Sequence, residues 1–470
     1  MTKDTDITAS RRPPALAPGS GRDAPGHSRW WFAAALGVAL LVALGLRVGT
    51  RISALGQRFD EPWTRQPIEA IVAEGWSVRT AIDFEETKGP AFVWPYAAMA
   101  EVLGGELARL RLTTVLFFVL GAIPLLVIAR RCGVTGIGLT VVAILYCLLP
   151  QHAVLGQLLM SEAGFVLGSL LLTLVFLWGF GVSDDNWHPL AGPILFGLLL
   201  AVLLHHRIHA VAFAPAACLL AWSRFGRGSW PWWCACALAG ASRIPLWIRW
   251  GGLVSPDYQD MHALAGASGG GGALLSLGNA TYLAAALVPW TAVFLVLPRQ
   301  RSNRVWIAAG AILGLALAVV APPRLDDRLP TPAILLARGD QGMSPYLGLA
   351  SSVARTLSDT PMVQSAMLGA MAVIGLAGLG ALAGAAWSRR RADQPPFGDE
   401  RGLARFVILT LLAGIGLYAL TRSFVLDRYL LPWAAAMPVL WWRLLPRGVT
   451  VALIIALAAM TAAGVARWLW

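Results

Sequence analysis

The chain has 470 residues, 57% hydrophobic and only 13% charged, with a mean hydropathy of +0.65 and a formal charge of +12. Water-soluble domains carry roughly 25% charged residues, so this composition excludes a soluble globular enzyme. The positive balance reports membrane topology rather than nucleic-acid binding, because the arginines gather in short turns between apolar runs.

Residues 1–29 are polar and are expected to be disordered, with no cleavable leader following them. From residue 30 onward, apolar runs long enough to cross roughly 30 Å of hydrocarbon recur to the C-terminus. Backbone groups in lipid must pair within the segment, so each run implies a helix. The expected spans are 30–48, 112–129, 134–150, 162–181, 190–206, 208–222, 230–248, 277–297, 305–321, 362–387, 406–421, 430–444 and 448–466. The fold class is therefore an all-α polytopic membrane protein with about thirteen spans in one transmembrane domain, 30–470. Short arginine-rich turns, at Arg299 to Arg304 and Arg389 to Arg391, place the N-terminus in the cytoplasm of a plasma membrane. Tryptophan pairs such as Trp30-Trp31 and Trp441-Trp442 mark the interfaces. The five cysteines lie in or beside apolar runs, with neither disulfide nor zinc spacing.

On that orientation three exterior loops stand out, at 49–111, 249–276 and 322–361. The first has mixed apolar and polar patterning over 64–80 and 91–108, which suits helices lying along the membrane surface. The second carries the glycine run Gly269 to Gly272, which reads as linker or lid.

The residues that carry chemistry sit mostly in or beside those loops. Asp60-Glu61 is a carboxylate pair about a dozen residues past the first span. Such a pair can take a proton from an acceptor hydroxyl or hold a divalent cation, Mg or Mn; it can equally be a solvated pair beside Arg58. Lys88 is one of only two lysines, since the other basic residues are all arginine. A compact ammonium there suits a phosphate, or a salt bridge to Glu85 or Glu86. Arg428-Tyr429, at the start of a late span, offers a guanidinium and a phenol to a lipid phosphate, unless Asp427 simply neutralises the arginine. Glu162 opens an otherwise apolar span, as a cavity residue or as a helix-start acid capped by Ser161. His205-His206-Arg207-x-His209 lacks neighbouring carboxylates, so His205 and Arg207 are read as cavity or interface residues rather than metal ligands.

In order and spacing, these residues resemble the GT-C glycosyltransferases that use polyprenyl-phosphate sugars, the group of protein O-mannosyltransferases and lipid A aminoarabinose transferases. The resemblance runs from Phe59-Asp60-Glu61 through Ile68 to Gly75 and Lys88-Gly89-Pro90 to Ala129-Arg130-Arg131, with echoes at Met160-Ser161-Glu162 and Arg428-Tyr429-Leu430-Leu431-Pro432. It implies an inverting sugar transfer at the exterior face, from a polyprenyl-phosphate donor to a glycan, lipid or protein acceptor. By that similarity Asp60 is the base, Glu61 supports it or a metal, and Lys88, Arg428 and Tyr429 contact the donor phosphate. Gly89 stands where the family has proline, which is expected to loosen the loop around Lys88. A transporter, a lipid-linked glycan flippase or a ligase is the competing reading. Transporters favour two-half symmetry and mid-span acids, and this chain has neither.

Overall fold

The computed structural model describes residues 25–49, 56–57, 61–77, 89–149, 151–181, 190–252, 272–297, 301–322, 353, 357–358, 360–387, 400–420 and 427–469. Its regular elements are all helices. Seven are long and apolar enough to cross a membrane, eight when the bent pair Leu277–Ala286 and Val288–Val296 is taken as one span. The protein is a multi-pass membrane protein.

The chain enters through α1 (Pro25–Gly49), then lays down two short helices, α2 (Glu61–Glu74) and α3 (Pro90–Leu103). These match the two surface helices expected in the first loop. Ile68 and Ile71 of α2 and Phe92, Val93, Tyr96 and Ala97 of α3 form a small core of their own, closed by Leu110 and Leu159. Next come α4 (Leu107–Arg131), α5 (Ile137–Cys147), the single turn α6 (His152–Leu155), α7 (Glu162–Gly181) and α8 (Ala191–His206). Arg47 Nη2 near the end of α1 donates to the Ala108 carbonyl at 2.9 Å, so the end of α1 meets the start of α4 and the two run antiparallel.

The second half contains α9 (Phe213–Phe225), α10 (Trp230–Ala241), α11 (Ile244–Trp250), α12 (Gly272–Ala286) and α13 (Val288–Thr291). It continues through α14 (Arg301–Val320), α15 (Pro361–Trp387), α16 (Glu400–Leu420), α17 (Leu430–Trp433), α18 (Met437–Leu444) and α19 (Arg447–Leu469). Helices α14 and α15 make the tightest seam. A Cβ on Gly310 would lie 2.2 Å from the Leu376 carbonyl oxygen, and one on Gly380 would lie 2.2 Å from that of Trp306. Small residues let the backbones touch, which is how helices associate when lipid removes the hydrophobic incentive. The outward face of α14 exposes Val305, Ile312, Leu315 and Val319, as a lipid-facing helix should.

The expected thirteen spans are not all continuous helices. The run 430–444 breaks into two short helices around a turn at 434–436, with Pro432 inside the first and Pro438 in the first turn of the second. A proline removes a backbone donor and crowds the preceding turn, so an apolar run containing two need not stay helical. Residues 208–222 begin as a 3-10 turn, Ile208–Ala212, and 277–297 bends at Leu287 by 41°.

Candidate functional site

Two buried carboxylates gather at one end of the bundle, on either side of the irregular segment that joins α5 to α7. Glu61, the first residue of α2, is fully buried against an equally buried Arg111 in the first turns of α4. Arg111 Nε and Nη2 donate to its two oxygens at 2.8 and 2.6 Å, a two-pronged pairing, and the Leu159 N–H adds a third bond at 2.8 Å. Arg111 Nη2 also donates to the Gly56 carbonyl at 2.8 Å, which ties the loop after the first span into the same knot.

Glu162, the first residue of α7, is 1% exposed and faces two guanidinium groups. Arg207 Nη2 lies 3.0 Å and Arg428 Nε 3.3 Å from its Oε1. Arg207 is the residue at which α8 ends, and Arg428 sits in the 3-10 turn Asp427–Tyr429 before α17. The Arg207 guanidinium lies 5.8 Å from the centroid of the Tyr429 ring. Tyr429 in turn packs on His209 at 4.5 Å and on Tyr418 at 5.5 Å between ring centroids. Tyr96 closes the cluster from α3, its hydroxyl 2.9 Å from Thr114 Oγ1 and donating to the Met160 carbonyl at 3.2 Å. Burial holds the Tyr96 phenol well above its ordinary range, so it stays protonated.

The local chain explains these placements. Gln151 adopts φ 68, the one non-glycine residue in the left-handed region among the described residues, and turns the chain out of α5. The irregular stretch that follows presents the Leu159 N–H to Glu61 and the Met160 carbonyl to Tyr96. Removing several charges from water costs several kcal/mol per ion, and apolar replacements would pack about as well. Ionisable groups buried in a membrane protein mark chemistry more often than architecture.

Of the residues singled out in the sequence, Glu162, Arg207, Arg428 and Tyr429 converge here, drawn from positions more than 260 residues apart. Glu61 is nearby but fully occupied by Arg111 and Leu159. His205 turns away, its Nε2 3.1 Å from the Ser242 carbonyl and 3.2 Å from the Ser242 hydroxyl. Asp60 and Lys88 lie outside the described residues.

Gly89, next to Lys88, corrects one expectation. Its N–H donates to the His206 carbonyl at 3.2 Å, and a Cβ there would lie 1.9 Å from the His205 oxygen. Glycine therefore pins this part of the loop instead of loosening it; proline would lose the donor and collide. The His206 ring reinforces the joint, edge-on to Phe92 at 5.2 Å and stacked on Phe165 at 5.6 Å.

Three residues escaped the sequence reading. Arg111 carries no signal of its own, since its meaning depends on a partner 50 positions away. His209 was noted only as part of a histidine-rich string. Arg243 did leave a trace, as a cation inside the expected span 230–248; it is buried, donates to the Leu204 carbonyl and lies 5.3 Å from the Trp250 ring centroid.

Magnesium is usually held by one or two carboxylates together with substrate phosphate and water. Glu61 gives its oxygens to Arg111 and Leu159, and no three His, Cys, Asp or Glu side chains come together among the described residues. Asp60, the other carboxylate named for a cation, lies outside the described residues.

No family model matches the chain, and no curated protein is similar to it at a significant level. Among solved structures it is similar to the crystal structure of ArnT from Cupriavidus metallidurans in the apo state. That likeness covers 87% of this chain and 76% of the other, with 14% identity and a TM-score of 0.37. A likeness at that TM-score settles neither fold nor chemistry; the side chains have to.

Proposed function

We propose that this protein is an integral membrane glycosyltransferase of the GT-C type, moving a sugar from a polyprenyl-phosphate donor to a glycan, lipid or protein acceptor at the exterior face of the plasma membrane. One observation carries the reading: Glu162, Arg207, Arg428 and Tyr429 meet in a buried cluster whose arginine-bearing turn is bonded to the peptide following Lys88. Guanidinium groups suit phosphate oxygens in shape and charge, and a lysine adds a point charge.

In this mechanism the acceptor oxygen attacks the anomeric carbon from the face opposite the phosphate. Asp60 takes the acceptor proton, and the bond to the phosphate oxygen breaks with inversion. The departing polyprenyl phosphate keeps its electron pair and needs no proton, because Lys88, Arg207 and Arg428 neutralise the charge as it develops. Glu162 holds the two arginines in register, and Tyr429 offers its hydroxyl to a phosphate oxygen. Glu61, held by Arg111 and the Leu159 N–H, fixes the start of α2.

The test is a transfer assay on the full chain in detergent with polyprenyl-phosphate sugars. Turnover of the donor supports a transferase; lipid movement across a bilayer without turnover would instead favour a flippase or transporter. Asp60→Asn is expected to slow transfer by about 10²–10⁴-fold, the range of a lost general base, with the protein still folded. Near-normal turnover would remove Asp60 from the chemistry. Lys88→Ala is expected to raise the donor KM several-fold with the acceptor KM unchanged, and an unaltered donor KM would end its phosphate role.

A further inference from the structure

At the opposite end of α1 and α4 the structure holds a second feature, independent of the cluster above. Arg29, Phe32, Val127, Arg130 and Arg131 line a recess of about 500 Å³. Arg29 belongs to the second turn of α1, and Arg130 and Arg131 are the last two residues of α4. About 20 residues of α4 separate them from Arg111, roughly 30 Å at 1.5 Å per residue, which is the thickness of a bilayer core. The recess therefore faces the other leaflet from Glu61 and Glu162.

The lining has an internal order. Phe32 follows Arg29 by three residues and Val127 precedes Arg130 by three, so each apolar residue lies one turn deeper on the same helix face as its arginine. Guanidinium groups occupy the rim and hydrocarbon occupies the side toward the membrane. None of the lining residues is acidic. Trp30, largely exposed beside Arg29, sits where interfacial tryptophans sit. Arginines that merely set topology need only be solvated, whereas these approach from two helices a hundred residues apart over an apolar floor.

We infer that this recess binds the phosphate headgroup of an anionic phospholipid from the adjoining leaflet, with an acyl chain lying along Phe32 and Val127. The ligand class follows from the two chemistries together. A phosphodiester meets the arginines, as basic pockets at helix ends meet lipid headgroups, and a soluble anion would have no use for the apolar side.

The experiment is native mass spectrometry of the full-length protein, released from micelles containing equal palmitoyl-oleoyl phosphatidylglycerol and phosphatidylcholine. The wild type is expected to retain phosphatidylglycerol in preference, and Arg29→Gln/Arg130→Gln/Arg131→Gln to lose that preference by about tenfold. Arg65→Gln, a partly exposed site on α2 paired only with Glu69 among the described residues, is the control and should retain it. Should the triple variant fail to fold, Arg29→Gln alone is expected to lose about threefold, and Arg29→Lys to restore most of it. Unchanged preference in a folded variant would overturn the assignment. So would displacement of the lipid by millimolar inorganic phosphate, which would make the recess a site for a soluble anion. The transferase reading survives either result, because no residue of the recess belongs to it.

Discussion

Around Leu159 the helices are joined by buried ions, whereas along the seam of α14 and α15 they are joined by glycines. At the first place Arg111 grips Glu61 with two donors, and Glu162 stands between Arg207 and Arg428. At the second, Gly310 and Gly380 bring backbone against backbone. Glycine contact is the economical way to build a bundle in lipid, and α15 uses it against α12, α13 and α14 through Gly375, Gly378 and Gly380. Buried ions are the costly way, since each partner protects the other from a lone charge in a dry interior. The Glu61–Arg111 pair holds the start of α2, and on the proposed function the ions around Glu162 serve the donor.

The sharpest way to break this contrast is to unbalance the ionic side. Glu61→Gln leaves Arg111 buried without its carboxylate and should cost about 3–5 kcal/mol, the range for breaking a buried pair. Thermal unfolding in detergent reads this directly, and a loss below 1 kcal/mol would mean that water reaches Arg111. On the glycine side the expected effect is smaller. Gly310→Ala forces a Cβ against the Leu376 carbonyl and should cost about 1–3 kcal/mol while leaving the donor KM alone. Gly416→Ala on α16, where nothing lies within 4 Å of the new atom, should be neutral or slightly stabilising. If both alanines behaved alike, the seam would be looser than its geometry says.

A third test concerns His152, in the single turn α6. Its ring is fully buried, stacked on Phe118 at 4.5 Å, and neither nitrogen has a hydrogen-bond partner among the described residues. Burial holds it down to about 3, against an ordinary value of 6.5. The folded state thus keeps His152 neutral while the unfolded chain takes a proton below 6.5. Stability is full above that pH and is lost as pH falls toward 3, by about 1–2 kcal/mol between pH 7 and pH 5. Unfolding midpoints at those two pH values, compared with His152→Phe, isolate this contribution; equal slopes in both proteins would assign acid sensitivity elsewhere.

Much of this architecture was legible in the sequence, for a physical reason. Lipid forces backbone pairing within each apolar run, so long runs such as 112–129 and 362–387 had to be helices. The same logic blurs where a run is buried in protein instead of lipid. Residues 430–444 read as one span because hydropathy cannot distinguish a lipid-facing helix from a broken segment whose free backbone groups are met by neighbours. The site was half legible. Glu162, Arg207, Arg428 and Tyr429 could be picked out because ionisable or aromatic polar groups at the ends of apolar runs need a reason to be there. Arg111 and Glu61 could not be paired, since nothing local records a contact made across 50 residues. Gly89 was misread because its value lies in the space denied to any side chain by the His205 carbonyl, and that space exists only in the folded protein.

The bond from Gly89 to His206 has a mechanical corollary. It rivets the stretch after the second lysine of the chain to the corner that carries Arg207, so the two move as one piece. On the proposed function, donor capture and the setting of the arginine then become a single event, and a substitution that pries the rivet loose should uncouple them without altering any charge.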